Sequence, residues 1–243
     1  MKYVDIFLPK TDSTQEYAKK NASSFDKTKI TAIYADEQTH GKGRFNRKWI
    51  SCNKDNLNIT FYFQLKPNTL HLISIGHILA LSLIEVLRDN NLDPKIKWPN
   101  DIMLSNKKLA GVLCEIQTKI DQADVFLGIG INVNPDQNFL NQIDQPATSL
   151  KVETDKIWDK KKLFEDLKQK FLKNLEIFRT SGFTPLHESY ENLLLYKGNK
   201  ITFFDGKNEY KGVLHSITCE GKLNLYLNNK EIITFAAGDI INK

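Results

Sequence analysis

Cysteine is scarce in this chain: Cys52, Cys114 and Cys219 are odd in number and far apart. That excludes a disulfide framework and offers no C-x-x-C metal pair, so a reducing, cytoplasmic setting is expected. Long apolar runs are missing too. The most apolar stretch, residues 73–87, is broken by Ser74, His77, Ser82 and Glu85, which are costly in hydrocarbon, and no membrane span is expected. Residues 1–9 carry Asp5 inside a short apolar stretch and show no small-residue cleavage site, so no signal peptide is read there. Charge of one sign is not concentrated: 34 Lys+Arg stand against 29 Asp+Glu, and the net +5 is scattered, which implies only a weak general attraction to anions. Internal repeats and low-complexity segments are absent.

What remains is ordinary globular composition, with 41% hydrophobic and 26% charged residues in 243, enough for one large core and a small appendage. Residues 3–8 alternate as a strand, and Asp12-Ser13-Thr14 opens a helix to about Lys20, with Ser13 and Glu16 spaced as a capping box. Residues 31–35 make a second strand, followed by a polar stretch from 36 to 56 without periodicity. Loops that long are functional or disordered. Residues 57–65 read as a strand, and residues 71–90 as a long buried helix with Leu72, Ile75, Leu79, Leu83 and Leu87 at helical spacing. A short strand at 95–98 ends at Pro99, a hairpin at 102–117 turns near Ser105-Asn106-Lys107, and 125–132 is a further strand. Residues 133–155 read as a polar surface connection, and 158–180 and 185–195 as helices. From Lys200 short strands are split by Asp205-Gly206, Glu220-Gly221 and Asn228-Asn229, which suggests a small β-barrel beginning near Tyr196. The expected class is α+β: a mixed β-sheet packed with helices, spanning 1–195, and a β-rich unit at 196–243.

Four segments carry chemistry. In the loop Gly41-Lys42-Gly43-Arg44-Phe45-Asn46-Arg47-Lys48-Trp49, glycines admit a close ligand and cations could clamp phosphate or carboxylate. It is neither a Walker A sequence nor a dinucleotide fingerprint, since no G-K-[ST] follows and it opens no helix; a solvated basic loop explains the same residues. At Lys97-Trp98-Pro99-Asn100-Asp101 proline stops a strand, and Asn can bond a base or sugar while Asp can hold Mg²⁺. A turn with a packed Trp is the plain alternative. In Lys107-Lys108-Leu109-Ala110-Gly111 one lysine could reach into a site over small residues, or both lysines could be solvated. Gly128-Ile129-Gly130-Ile131-Asn132 is a strand with two glycines and an amide at its exit, which fits close ligand approach or tight packing.

Their order and spacing decide between these readings. Asp12-Ser13-Thr14, Gln38 with Gly41-Lys42-Gly43-Arg44, Lys97 to Asp101, Lys108-Leu109-Ala110-Gly111 and Gly128 to Asn132 together resemble the catalytic domain of biotin protein ligases, over about residues 3–195. The K-W-P-N-D and K-L-A-G pair is the most specific part, and the β-rich terminal segment resembles that family's SH3-like domain. The resemblance implies a class II synthetase-like catalytic domain that forms biotinyl-5'-AMP from biotin and ATP with Mg²⁺. The acceptor it implies is a lysine of a biotin carboxyl carrier protein of acetyl-CoA carboxylase or a related carboxylase.

By that resemblance Lys108 and Arg44 are the catalytic cations. Ser13, Thr14, Gln38, Gly41, Lys42, Gly43, Arg44, Lys108 and Gly111 meet biotin; Arg44, Arg47, Trp49, Asn100, Asp101, Lys108 and Asn132 meet ATP or the adenylate, with Asp101 on the metal. Residues 39–50 are expected to be mobile without ligand. The family often shows G-R-G-R-x-G-R where this chain has Lys42 and Asn46; lysine keeps the charge without the bidentate fork, and Asn tolerates positive φ. Some members carry a helix-turn-helix domain, but here the catalytic pattern starts within ten residues, so specific DNA binding is not expected. The resemblance leaves a homodimer open. A lipoate or octanoate ligase, or a non-catalytic adenylate or nucleic-acid binder, are the rival readings.

Overall fold

The alternation at the start of the chain builds β1 (Tyr3–Thr11), after which Ser13 opens α1 (Thr14–Asn21). The computed structural model describes residues 2–52 and 54–241, the Asn46 side chain excepted. The chain continues through β2 (Ile30–Gln38), β3 (Asn56–Leu65), α2 (Ile75–Asp89), β4 (Lys95–Lys97), β5 (Asp101–Leu104), β6 (Lys107–Thr118) and β7 (Ala123–Asn132). Then come α3 (Gln137–Leu140), α4 (Leu150–Thr154), α5 (Lys160–Ser181), α6 (Thr184–Glu191), and the strands β8 (Lys200–Phe204), β9 (Glu209–Ile217), β10 (Leu223–Leu227), β11 (Ile232–Phe235) and β12 (Asp239–Ile240).

The first seven strands form one mixed sheet in the order β1-β2-β3-β7-β6-β5-β4, with β1 and β2 parallel and every other neighbour antiparallel. Side chains alternate across a strand, so each strand feeds two layers. Ala32, Phe61 and Leu127 face the large core built with α2 and α5, while Ile33, Tyr62 and Phe126 face α1 through Ala18. Helix α2 is buried on almost every side, from Ile75 to Leu87, which explains why its apolar spacing is so dense in sequence. Its expected first turn, Leu72–Ser74, is a 3-10 turn entered through His71 at φ 58°.

The last five strands form a second, antiparallel sheet in the order β11-β10-β9-β8-β12. The expected barrel is therefore corrected to an open sheet: among the described residues no ladder joins β11 to β12. Trp98 ties the two sheets together. It is 2% exposed, lies 5.9 Å from the Phe203 ring, and donates its indole N–H to Gly221 O at 2.9 Å.

Two further expectations change. Ser13 is the N-cap of α1 but makes no side-chain cap bond, and the Glu16 carboxylate, the other half of the expected box, pairs instead with Lys19 at 2.7 Å and Lys42 at 2.8 Å. Residues 133–155 are no simple surface connection. They contain α3 and α4, and Ala147, Thr148, Ser149 and Leu150 are buried, with Lys108 N donating to Pro146 O and Thr148 N to Lys108 O at 2.9 and 3.0 Å.

Candidate active site

Helix α1 covers only part of its sheet face, and the uncovered part is floored by small and polar residues. Where α1 packs, the aligned row is Tyr62, Phe126 and Glu115; two residues further along each strand it becomes Thr60, Gly128 and Leu113, and two further Asn58, Gly130 and Gly111. Large side chains give way to glycine, and a hollow opens. The resulting cavity of about 590 Å³ is lined by all the expected site residues except Gly41, which sits behind the wall with its carbonyl accepting from Trp49 N at 2.9 Å.

One end of the cavity is neutral and hydrogen-bonded. Thr14, at the start of α1, donates its N–H to Gln38 Oε1 at 2.8 Å, and its hydroxyl lies 2.9 Å from that of Thr60, which in turn donates to Gln15 Oε1 at 3.2 Å. Gln15 is held by donating to Phe126 O and Glu115, both at 2.9 Å. A chain of fixed hydroxyls and amides of this kind suits an uncharged polar group such as a urea or amide.

The other end is charged. Lys107 is exposed, whereas Lys108 turns inward, its side chain 16% exposed and its Nζ 2.8 Å from Asp101 Oδ1. The inward turn follows from a register shift between Ile102 and Met103, which places Ile102 opposite Ala110 and Met103 opposite Lys108, with Leu109 the extra residue. Gly111 makes room for the lysine stem: a Cβ there would come within 3.2 Å of Lys108 Cε. Asn100 donates to Val112 O at 2.7 Å and receives Arg44 Nη1 at 3.4 Å.

Residues 39–50 carry their own backbone bonds, with Gly43 N donating to Arg47 O at 2.7 Å and a bridge between Lys42 and Lys48. Phe45, with φ 54°, is the positive-φ residue of this turn, where Asn46 was expected to tolerate that conformation. The loop aims Arg44 and Arg47 at Asp239, the first residue of β12. Arg44 Nη1 lies 3.3 Å from Asp239 Oδ1, its Nη2 donates to Gly238 O at 3.2 Å, and Arg47 pairs with Asp239 Oδ2. Burial lowers the Arg44 pKa, and Asp239 and Asp101 oppose that shift. Lys42 faces Glu16, so its ammonium is already paired. Trp49 lies across Gly130, where an added Cβ would meet the indole at 2.3 Å, and it donates to Asn58 Oδ1 at 3.0 Å. Asn132 accepts from Asn56 at 2.8 Å and donates to Thr148 O at 3.0 Å.

Asp101, Asp144 and Asp239 are the carboxylates lining the cavity, Asp101 paired with Lys108 and Asp239 with the two arginines, and no group of three or more His, Cys, Asp or Glu residues that could hold an ion occurs among the described residues. That fits Mg²⁺ carried in by phosphates, which needs only one or two protein carboxylates and keeps its waters. Residues that sequence reasoning missed are Gln15, Thr60, Asn58, the segment Ile143 to Ala147, and Asp239. Asn56, Asn58 and Thr60 did leave a signal, being three polar residues at period two alternating with Leu57, Ile59 and Phe61.

This architecture is that of a ligase that joins an acid to a lysine, and the chain belongs to the Biotin/lipoate A/B protein ligase family, whose model it matches over residues 7–132. Among curated relatives, the bifunctional ligase/repressor BirA of Salmonella typhimurium is 30% identical over 220 residues, 90% of this chain and 68% of that protein. The biotin–[acetyl-CoA-carboxylase] ligase of Paracoccus denitrificans is 28% identical, over 90% of this chain and 92% of that one. The biotin protein ligase of Aquifex aeolicus, solved in complex with biotin and ATP, superimposes with a TM-score of 0.82 at 31% identity, covering 98% of this chain and 97% of that one.

Proposed function

We propose that this cleft activates biotin with ATP and transfers it to a protein lysine, the reaction of a biotin protein ligase. The observation that carries the reading is the junction of two environments in one cavity: a neutral pocket at Thr14, Gln38 and Thr60, and a cationic end at Arg44, Arg47 and Lys108 beside Asp101. A ureido ring and a carboxylate fit that polarity in that order.

The first step brings two anions together. A carboxylate oxygen of biotin forms a bond to the α-phosphorus of ATP, and the bond to the β-phosphate oxygen breaks, releasing pyrophosphate. In the second step the acceptor amine attacks the acyl carbon of the mixed anhydride, AMP leaves, and the amine proton is lost. Lys108 stands where carboxylate and α-phosphate meet, and its charge offsets the negative charge that builds there. Arg44 and Arg47 hold the phosphates, Asn100 and Asn132 face the nucleotide, and Trp49 covers it. Ser13, Thr14, Gln38 and Gly111 belong to the biotin side, with Gly41, Lys42 and Gly43 shaping the loop over it. Mg²⁺, held at Asp101, would shield the phosphates.

The acceptor is a biotin carboxyl carrier protein of acetyl-CoA carboxylase or a related carboxylase, the carboxylase being what the name of the Paracoccus relative supports. Residues 1–195 form the catalytic unit and the β-rich segment from 196 its companion. Among the described residues no helix is long and apolar enough to cross a membrane; a cytoplasmic location is proposed on the scarce, scattered cysteines. Sequence-specific DNA binding is not proposed. Biotin-dependent exchange of labelled pyrophosphate into ATP, with lipoate in parallel, tests the reading. Exchange with biotin supports it, and exchange with lipoate alone transfers the assignment to the sister activity.

A further inference from the structure

We infer that Asn58 is the positioning residue that seats Trp49 over the nucleotide end of the cleft. The inference rests on the nucleotide reading given above. Asn58 projects from β3 in register with Gly130 of β7 and is 1% exposed. Its Oδ1 accepts from the Trp49 indole at 3.0 Å and from Ser51 Oγ at 3.2 Å, so one oxygen gathers two residues of the loop's outgoing limb. Its Nδ2 is buried with no hydrogen-bond partner among the described residues.

That orphaned donor is what makes the residue informative. A buried N–H without an acceptor costs about 1–3 kcal/mol, and an apolar side chain of the same shape would avoid the cost. What an apolar side chain could not do is accept from the indole. The acceptor is thus retained at the expense of the donor, and its beneficiary is the ring that lies across Gly130. Gly130 admits the indole face and Asn58 receives its only polar atom, so the ring has one seat. Without that seat Trp49 swings with the rest of the loop, and the nucleotide loses a preformed wall while the pocket at Thr14 and Gln38 is untouched.

Asn58→Leu removes both amide functions while keeping the branching at Cγ. The chain has three tryptophans, each donating to a different acceptor, so ¹⁵N-labelled indole signals report Trp49 separately from Trp98 and Trp158 once Trp49→Phe has identified its peak. In Asn58→Leu the Trp49 signal should move and exchange faster with solvent while the other two stay. In pyrophosphate exchange the KM for ATP should rise about tenfold, the equivalent of one lost buried hydrogen bond, with the KM for biotin within about twofold. Asn58→Asp, which keeps an acceptor oxygen, should return the Trp49 signal toward its original place. Trp49→Phe combined with Asn58→Leu should be no worse than either alone. An unmoved indole signal, additive losses, or KM values for ATP and biotin rising together would overturn the inference. If Asn58→Leu does not fold, Asn58→Asp and Trp49→Phe decide the same question: the first should hold the indole signal near its original place, and the second should raise the KM for ATP alone. Absence of any exchange in the unaltered protein refutes the functional reading, and the indole spectra still decide the seat.

Discussion

The carboxylate of Asp239 accepts Arg44 at 3.3 Å, joining two residues 195 positions apart in the chain, and its second oxygen takes Arg47. A loop of the large sheet is therefore held by the last strand of the small one, with both the Arg44 and the Asp239 side chains 19% exposed. Asp239→Asn keeps the shape and removes the charge that orients the two guanidinium forks. The KM for ATP should rise several-fold, by roughly 1 kcal/mol of lost charge-assisted bonding, with less effect on kcat. A fall in that KM would show instead that the carboxylate competes with phosphate for the arginines.

Lys108→Ala should lower the adenylation rate by about tenfold to a thousandfold, as expected for a charge that acts mainly as the anions meet. Asp101, 2.8 Å from Lys108 Nζ, would lose its counter-ion at the same time. Single-turnover formation of the adenylate is the measurement, and an unchanged rate removes Lys108 from its role.

Residues 39–50 should be cut readily by trypsin without ligand, because Lys48, Lys42 and Arg47 sit on an exposed loop, and be protected by biotin with ATP as water is excluded from the activated acyl group. Equal cleavage in both states would argue against closure.

Gly130→Ala places a methyl group 2.3 Å from the Trp49 indole, so the ring must leave its seat. The expected cost is about 1–3 kcal/mol spread between stability and nucleotide binding. Tryptophan fluorescence and the KM for ATP should both change; a variant matching the unaltered protein in both would show that the floor has slack.

Acid should destabilise the fold through His77. It is 8% exposed, its Nδ1 has no hydrogen-bond partner among the described residues, and burial holds its pKa down to about 4. The unfolded chain takes up that proton near pH 6.5, so between 6.5 and 4 the unfolded state binds more protons and stability falls with pH, by up to about 3 kcal/mol. Above pH 6.5 the group is neutral in both states and contributes no slope. Urea midpoints at pH 7 and pH 5 should fall less for His77→Leu than for the unaltered protein, and equal falls would place the acid sensitivity elsewhere.

Much of this was legible in the sequence, for identifiable reasons. Helix α2 announces itself because one residue in three or four must be apolar to meet the sheet, and Lys108 to Gly111 because a lysine beside small residues is an odd combination at a hairpin. Thr60 and Asn58 stood out as polar residues alternating with apolar ones, but their place in the site was hidden because their partners, Gly128 and Gly130, are set by strand register across some seventy residues, which local pattern does not encode. The capping-box reading of Ser13 and Glu16 failed for a related reason: two lysines, one of them from the distant loop, claim the glutamate. Asp239 gave no local sign, since an acidic residue after glycine in a short strand is common; only the packing of the second sheet brings it to the arginines.

The tie between Arg44 and Asp239 also sets an order in time. Residue 239 is made after the loop and the floor of the cleft, so until then Arg44 and Arg47 lack the carboxylate that joins them. The two arginines therefore reach their joined arrangement only once the last strand is in place, although the strands that floor the cleft end at Asn132.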